Sequence, residues 1–192
     1  TNCRLNDPVF ERGLRDFLAV CNVVKTFRGI RILQISTRPF DFWTTMCNEG
    51  ELLEKFNIQL SPIPMTELTE KIKGVKAEGL KLKDMISYIQ KTMEIEIKDN
   101  EVENVAALAV AMEELIQQYG CQAAAIQCWN ALQTEIGIMP CAANAILNEK
   151  GIPVVCETDI HGAVTALLAE AAGMGETRSF FADWTIRHPD IA

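Results

Sequence analysis

In "IPVVCETDIHGAVTALLAEAAG", residues 152–173, a short β-branched run gives way within five residues to an apolar, alanine-rich helical pattern. Two carboxylates and an imidazole (Glu157, Asp159 and His161) sit at the join. A strand that passes directly into a helix is half of a crossover connection, and repeated crossovers build a parallel sheet covered on both faces. Thr158 or Asp159 suits the N-cap of that helix, because a short oxygen-bearing side chain accepts from the first free N–H groups. Glu157 is different: a charge directly after a buried strand must meet solvent or a partner.

The same alternation runs outward through the chain. "DPVFERGLRDFLAVCNVVKTFRG" (7–29) predicts a helix, with Asp7 as cap, Pro8 in the first turn and Gly29 as stop. "RILQIS" (31–36) reads as a strand, "TTMCNEGELLEKF" (44–56) as a helix, and "IQLSPIP" (58–64) as a second strand. Two helical stretches follow, with a break expected between Gly74 and Gly79. Asn100 and Glu103 have the spacing of a capping box, which opens a long helix that stops at Gly120. "CQAAAIQCW" (121–129), "IPVVCE" (152–157) and "RSFFADWTI" (178–186) read as three further strands, and "PCAANAILNEKG" (140–151) as a short helix. The expected fold class is α/β: a doubly wound, mostly parallel sheet with helices on both faces, Rossmann- or flavodoxin-like. Residues 1–175 are expected to form one domain and 176–192 the start of a following one. The chain has 192 residues and opens without Met in mid-pattern, so a fragment of a longer protein is expected.

A net charge of −8 disfavours nucleic acid and anionic membrane surfaces as partners. No uncharged apolar run is long enough to span a bilayer, and the first residues do not resemble a secretion signal, so the expected location is cytoplasmic. Seven cysteines, an odd number with no CxxC spacing and several of them inside apolar runs, read as reduced, core-filling thiols rather than a disulfide framework. Neither GxGxxG nor GxxxxGK[ST] follows a strand, which removes the two common phosphate cradles, and no GxSxG motif is present.

Ligands of open parallel sheets bind outside the carboxyl ends of the strands. Three such ends are chemically loaded: "STRPFDFW" with Arg38, "QCWNALQTEIG" with Gln127, Trp129 and Glu135, and "CETDIHG" with Glu157, Asp159 and His161. Carboxylates, an amide and aromatic rings on one edge suit a hard cation and a polyol. Each also has a plain structural role, as helix cap, loop cation, solvated imidazole or core indole.

"GIMPCAANAILNEKGIPVVCETDIHGAVTALLAEAAG" followed by "SFFADWTIRHPD" resembles the L-fucose isomerase family, as does "RILQISTRPFDFWTTMCNEGELLEKFNI" for the start of that family's second domain. The resemblance implies the central domain of a metal-dependent aldose–ketose isomerase acting on a fucose- or arabinose-like sugar through an ene-diol. It implies a homo-oligomer with a divalent cofactor, usually Mn²⁺, held by a Glu, an Asp and a His from the C-terminal domain. Asp159 matches the family's metal Asp and Glu157 the acidic residue two positions before it. For the upstream carboxylate both Glu135 and the position of Asn144 stay open. Asp159 and Glu135 are the implied acid/base and metal groups, with Glu157 a further metal candidate. Arg38, Gln127, Trp129 and His161 are the candidates for substrate contacts. The alternatives are a non-catalytic sugar-binding or regulatory relative that has lost the metal, and an unrelated Rossmann-like domain.

Overall fold

The computed structural model describes residues 3–182. Its framework is a four-stranded parallel sheet in the order β2-β1-β3-β4, formed by Arg31–Ile35 (β1), Gln59–Ile63 (β2), Ala123–Ile126 (β3) and Val154–Val155 (β4). Helices fill every connection: α1 (Pro8–Phe27), α2 (Glu49–Phe56), α3 (Met65–Glu78), α4 (Leu80–Thr92), α5 (Asp99–Gln118), α6 (Ala131–Ile136), α7 (Cys141–Glu149) and α8 (Ile160–Ala172). The doubly wound α/β expectation is met.

Strand alternation divides the core in two. Leu33, Ile35, Ala124, Ile126 and Val154 face the layer of α3 to α7. Ile32, Ala123, Ala125 and Val155 face α8 and the helices beside it. Because β3 is almost all alanine and fully buried, both helix layers approach the sheet closely at its centre. Helix α5 lies over one face with eleven buried residues from Val102 to Ile116, the all-round apolar character of a covered helix.

Several local expectations need correction. The cap of α5 is Lys98, two residues before Asn100, and Glu101 reaches back to accept the Lys98 N–H at 2.9 Å. The carboxylate at the third helical position, not the Asn, sets the boundary, since a lysine side chain has no acceptor. Gly74 lies inside α3, and the chain breaks only at Gly79, whose φ of +73° suits a residue without Cβ. Helix α6 is additional to the expected elements. Cysteine packing also differs, because Cys3, Cys21 and Cys141 are exposed and only Cys128 is buried, although all seven thiols are free. Cys21 lies on α1, where no residue is buried despite its apolar sequence.

Residues 178–182 form no strand. They lie against the domain, where Ser179 bonds Glu170 through its N–H (3.0 Å) and hydroxyl (2.8 Å), and Phe181 joins the core on the α8 side. The rest of the strand expected over 178–186 lies outside the described residues. Among the described residues no helix is long and apolar enough to cross a membrane.

Candidate functional site

The chain reverses direction across the sheet between β1 and β3, which makes the crevice between their carboxyl ends the switch point of the fold. Backbone strain concentrates beside it. Six described non-glycine residues have positive φ, and four of them follow sheet strands at this edge: Ser36 (67°), Asn130 (66°), Glu157 (65°) and Thr158 (53°). A β-branched residue such as Thr158 rarely adopts that conformation, and such departures gather where surrounding structure holds a functional geometry.

Hydrogen bonds provide that hold. The Ser36 hydroxyl donates to Gln127 Oε1 at 2.7 Å, and the Gln127 N–H donates to Ile35 O at 3.0 Å, which ties the ends of β1 and β3 together. Thr158 is buried; its N–H donates to Ile126 O at 3.1 Å and its hydroxyl to Thr37 O at 3.1 Å. One threonine therefore stitches the turn after β4 to both central strands.

The expected site residues occupy this edge unequally. Arg38 curls over the loop after β1, where Nη1 donates to Pro39 O (3.1 Å) and Phe40 O (2.9 Å). Its guanidinium carbon lies 4.8 Å from the Trp43 ring centroid, a cation–π arrangement. Trp43 meets Phe40 edge-on at 6.5 Å, and Trp129 meets Phe42 at 5.9 Å. Both indoles are exposed, at 63% and 51%, so neither is a core residue. A polar cleft of about 170 Å³ under Arg38 is lined also by Gln34, Thr45, Cys47, Glu49 and Thr158.

Asp159 caps α8 through Oδ1, which accepts the Gly162 N–H at 2.9 Å. Its carboxyl group lies so close to Gly162 that a Cβ there would stand 2.8 Å from Oδ2. Burial, followed by the charges of Glu49 and Asp159, pushes the Cys47 thiol up, which puts Asp159 within electrostatic reach of the start of α2. His161 is exposed and lines a cleft of about 410 Å³ with Asp159, Thr165, Ser179 and Phe180.

Glu135 stands apart. It is exposed on α6, where its charge adds a small part to the raised Lys73 pKa, after the larger effect of Glu70. Asn144 is the residue that reaches the "CETD" segment, with Nδ2 donating to Cys156 Sγ at 3.2 Å. Among the described residues no three of His, Cys, Asp and Glu gather as a metal-binding group.

Two cysteines, Cys128 and Cys156, lie beneath the turn without any sequence motif to mark them. The Glu157 N–H donates to Cys128 Sγ at 3.3 Å. The neighbouring Cys156 thiol, together with the backbone donors, lowers the Cys128 thiol to about 7, while Cys156 is pushed up by Cys128 and by burial. Asp159 rather than Thr158 is the N-cap of α8, and the roles of Ser36 and Thr158 come from strand ends brought together across the sheet, which no local motif marks.

No family model matches the chain. It is similar to the sulfoquinovose isomerase of Alkalicoccus urumqiensis, at 24% identity over 170 residues, 88% of this chain and 38% of that protein. It is similar also to the sulfoquinovose isomerases of Priestia aryabhattai (26% identity, 85% of this chain and 36% of that protein) and Clostridium sp. strain MSTE9 (25%, 78% and 33%). The chain spans about a third of the length of these relatives, and each is by name an isomerase of a sugar.

Proposed function

We propose that this chain supplies an α/β domain of a sugar aldose–ketose isomerase and lends the carboxyl edge of β1, β3 and β4 to the active site. One observation carries the reading: strained, hydrogen-bonded turns bring Ser36, Gln127 and Thr158 together at the switch point of a parallel sheet, and Asp159 is the next residue of that turn. The relatives' names give the reaction class. Moving a carbonyl between neighbouring carbons requires a base that takes a proton from one and returns it to the other. In this reading Asp159 is the proton-handling carboxylate of the turn. Its cap bond occupies Oδ1, and its carboxyl group lines the cleft that His161 shares. Gln127 and Trp129 contact the sugar, and His161 flanks it. Residues 1–175 form this domain, and the intact protein is a cytoplasmic homo-oligomer.

Mn²⁺ is the cofactor that the family resemblance implies. The described residues do not fit a complete centre, because Glu135 stands beside Lys73 while Glu157 and Asp159 lie on the turn after β4. Glu157 and Asp159 are the carboxylates that this chain would lend to such a centre.

The relatives' names favour sulfoquinovose, a hexose with a sulfonate, ahead of a fucose- or arabinose-like sugar. Arg38, presented over Trp43, is the proposed sulfonate contact. A second reading, a sugar-binding relative without turnover, is favoured by Asn144, an amide placed under the "CETD" turn where a ligand carboxylate was one expectation. The test is to assay the intact gene product with sulfoquinovose, fucose and arabinose, with and without Mn²⁺, following ketose formation and binding. Turnover supports the isomerase. Sugar binding without turnover under every condition supports the second reading.

A further inference from the structure

We propose that the outer face of α1 docks a second copy of this chain, with the two α1 helices antiparallel about a two-fold axis. The helix is tied to its own domain along one side. Arg15 pairs there with Glu176, and Asn22 Nδ2 donates to Ala171 O at 2.8 Å. At about 100° per residue, Arg15, Ala19, Asn22 and Thr26 share that side. Leu14, Phe17, Cys21 and Val24 fall on the opposite one, and Phe10 extends their row. From Phe10 the steps along this row alternate between four and three residues, the seam spacing of a coiled coil. Leu14, Phe17, Cys21 and Val24 are all exposed, Phe17 at 63%, and exposed Leu18 and Val20 flank them. A continuous apolar stripe of this kind, bordered by charged residues, marks a surface that another protein covers.

Charge complementarity identifies the occupant. Glu11 and Lys25 are exposed, and among the described residues neither makes an ion pair within the chain. Each directly follows a seam residue, Phe10 or Val24, so both border the same flank of the stripe. In an antiparallel pair, Leu14 packs against Val24 of the second copy and Phe17 against Cys21 of the second copy. The same axis then brings Glu11 to Lys25 of the second copy at one end, and repeats that pair at the other. Between them the flank holds Leu18 against its own symmetry mate, and the opposite flank holds Val20 likewise. A parallel pair would instead set Lys25 beside Val20 and Glu11 beside Asn6, leaving both charges unmatched. The stripe is thus complementary to itself, which is the property of a two-fold contact between identical chains.

The inference rests on the homo-oligomer proposed above and gives it a contact surface. The test is analytical ultracentrifugation of the intact protein over a concentration series, with circular dichroism to check the fold of each variant. Glu11→Lys and Lys25→Glu each set like charges together at both ends of the contact, so either should weaken association roughly tenfold. The double variant should regain the wild-type association, because both pairs are restored with their signs exchanged. In parallel, a short bismaleimide should link Cys21 of one copy to Cys21 of another, a product absent from Cys21→Ser. A double variant no better than the single ones would overturn the antiparallel contact. An oligomer that persists while Cys21 reacts but never cross-links would overturn the α1 surface and leave the homo-oligomer standing. Cys21 shielded from maleimide in a protein whose single reversals associate normally would place another part of the same longer chain over α1, and also overturn it. A monomer at every concentration would remove both the contact and the homo-oligomer.

Discussion

Ser36 and Gln127 share a 2.7 Å hydrogen bond across the switch point of the sheet, although Ser36 holds a left-handed backbone to make it. Two effects are therefore superposed at one residue. Ser36→Ala removes the bond and keeps the strain, at a cost of about 1 kcal/mol. Ser36→Gly removes both and should recover about half of that loss. Urea denaturation of the two variants checks this; equal losses would mean that the backbone at residue 36 is not strained.

Asp159 combines a structural and a proposed chemical role, and the two separate by substitution. Asp159→Ala should cost about 1 kcal/mol of stability through the lost cap. Asp159→Asn should stay within a few tenths of wild type, since an amide oxygen still accepts the Gly162 N–H. In the intact protein both variants should lose sugar isomerisation by roughly a hundredfold or more. Full activity in Asp159→Asn would remove Asp159 from the proton transfer.

Arg38 gives a prediction on specificity. Arg38→Lys keeps the charge but loses the planar fork and its stacking on Trp43. The expected outcome is a KM for sulfoquinovose raised about tenfold, equivalent to about 1.4 kcal/mol, with kcat nearly unchanged. Neutral aldoses should show no such rise. Parallel changes for charged and neutral sugars would assign Arg38 to loop structure instead.

Glu114 of α5 accepts from Lys71 at 2.7 Å and from Lys81, and these bonds hold its carboxyl below the usual range. A depressed folded pKa contributes stability above the unfolded value of about 4.3, and that contribution is lost as pH falls through the folded value. Glu114→Gln should therefore be less stable than wild type at pH 7, by up to about 1 kcal/mol given the exposed lysines. The two proteins should converge in strong acid and in high salt. A gap that persists at pH 2 would point to packing rather than charge.

Much of the fold was legible because its signals are local. Asp7, Pro8 and Gly29 bracket α1 in sequence as they do in space, and the apolar runs of β1 to β3 are bounded by turn residues. The start of α5 was misplaced because Glu101 and Glu103 both offer a carboxylate, and only the backbone geometry selects Glu101. The site was legible only as an edge. Composition could place Gln127, Trp129, Glu157 and Asp159 after strands, but not Ser36 against Gln127 or Thr158 against Thr37. Glu135 shows the converse: it follows β3 in sequence, yet α6 carries it to the α3 side, where Lys73 feels its charge.

The bond between Ser36 and Gln127 joins residues 91 positions apart. Contacts of such separation form slowly, because the entropy of closing the loop is lost before the contact can repay it. When the chain is made, Ser36 leaves the ribosome with its partner still untranslated and must wait while α2, β2 and α3 to α5 emerge. The edge of β1 is open throughout that interval, exposing unpaired backbone groups to any neighbouring strand. The site is thus among the last parts of the domain to exist, and slow synthesis of residues 37–122 would lengthen the period in which β1 can pair wrongly.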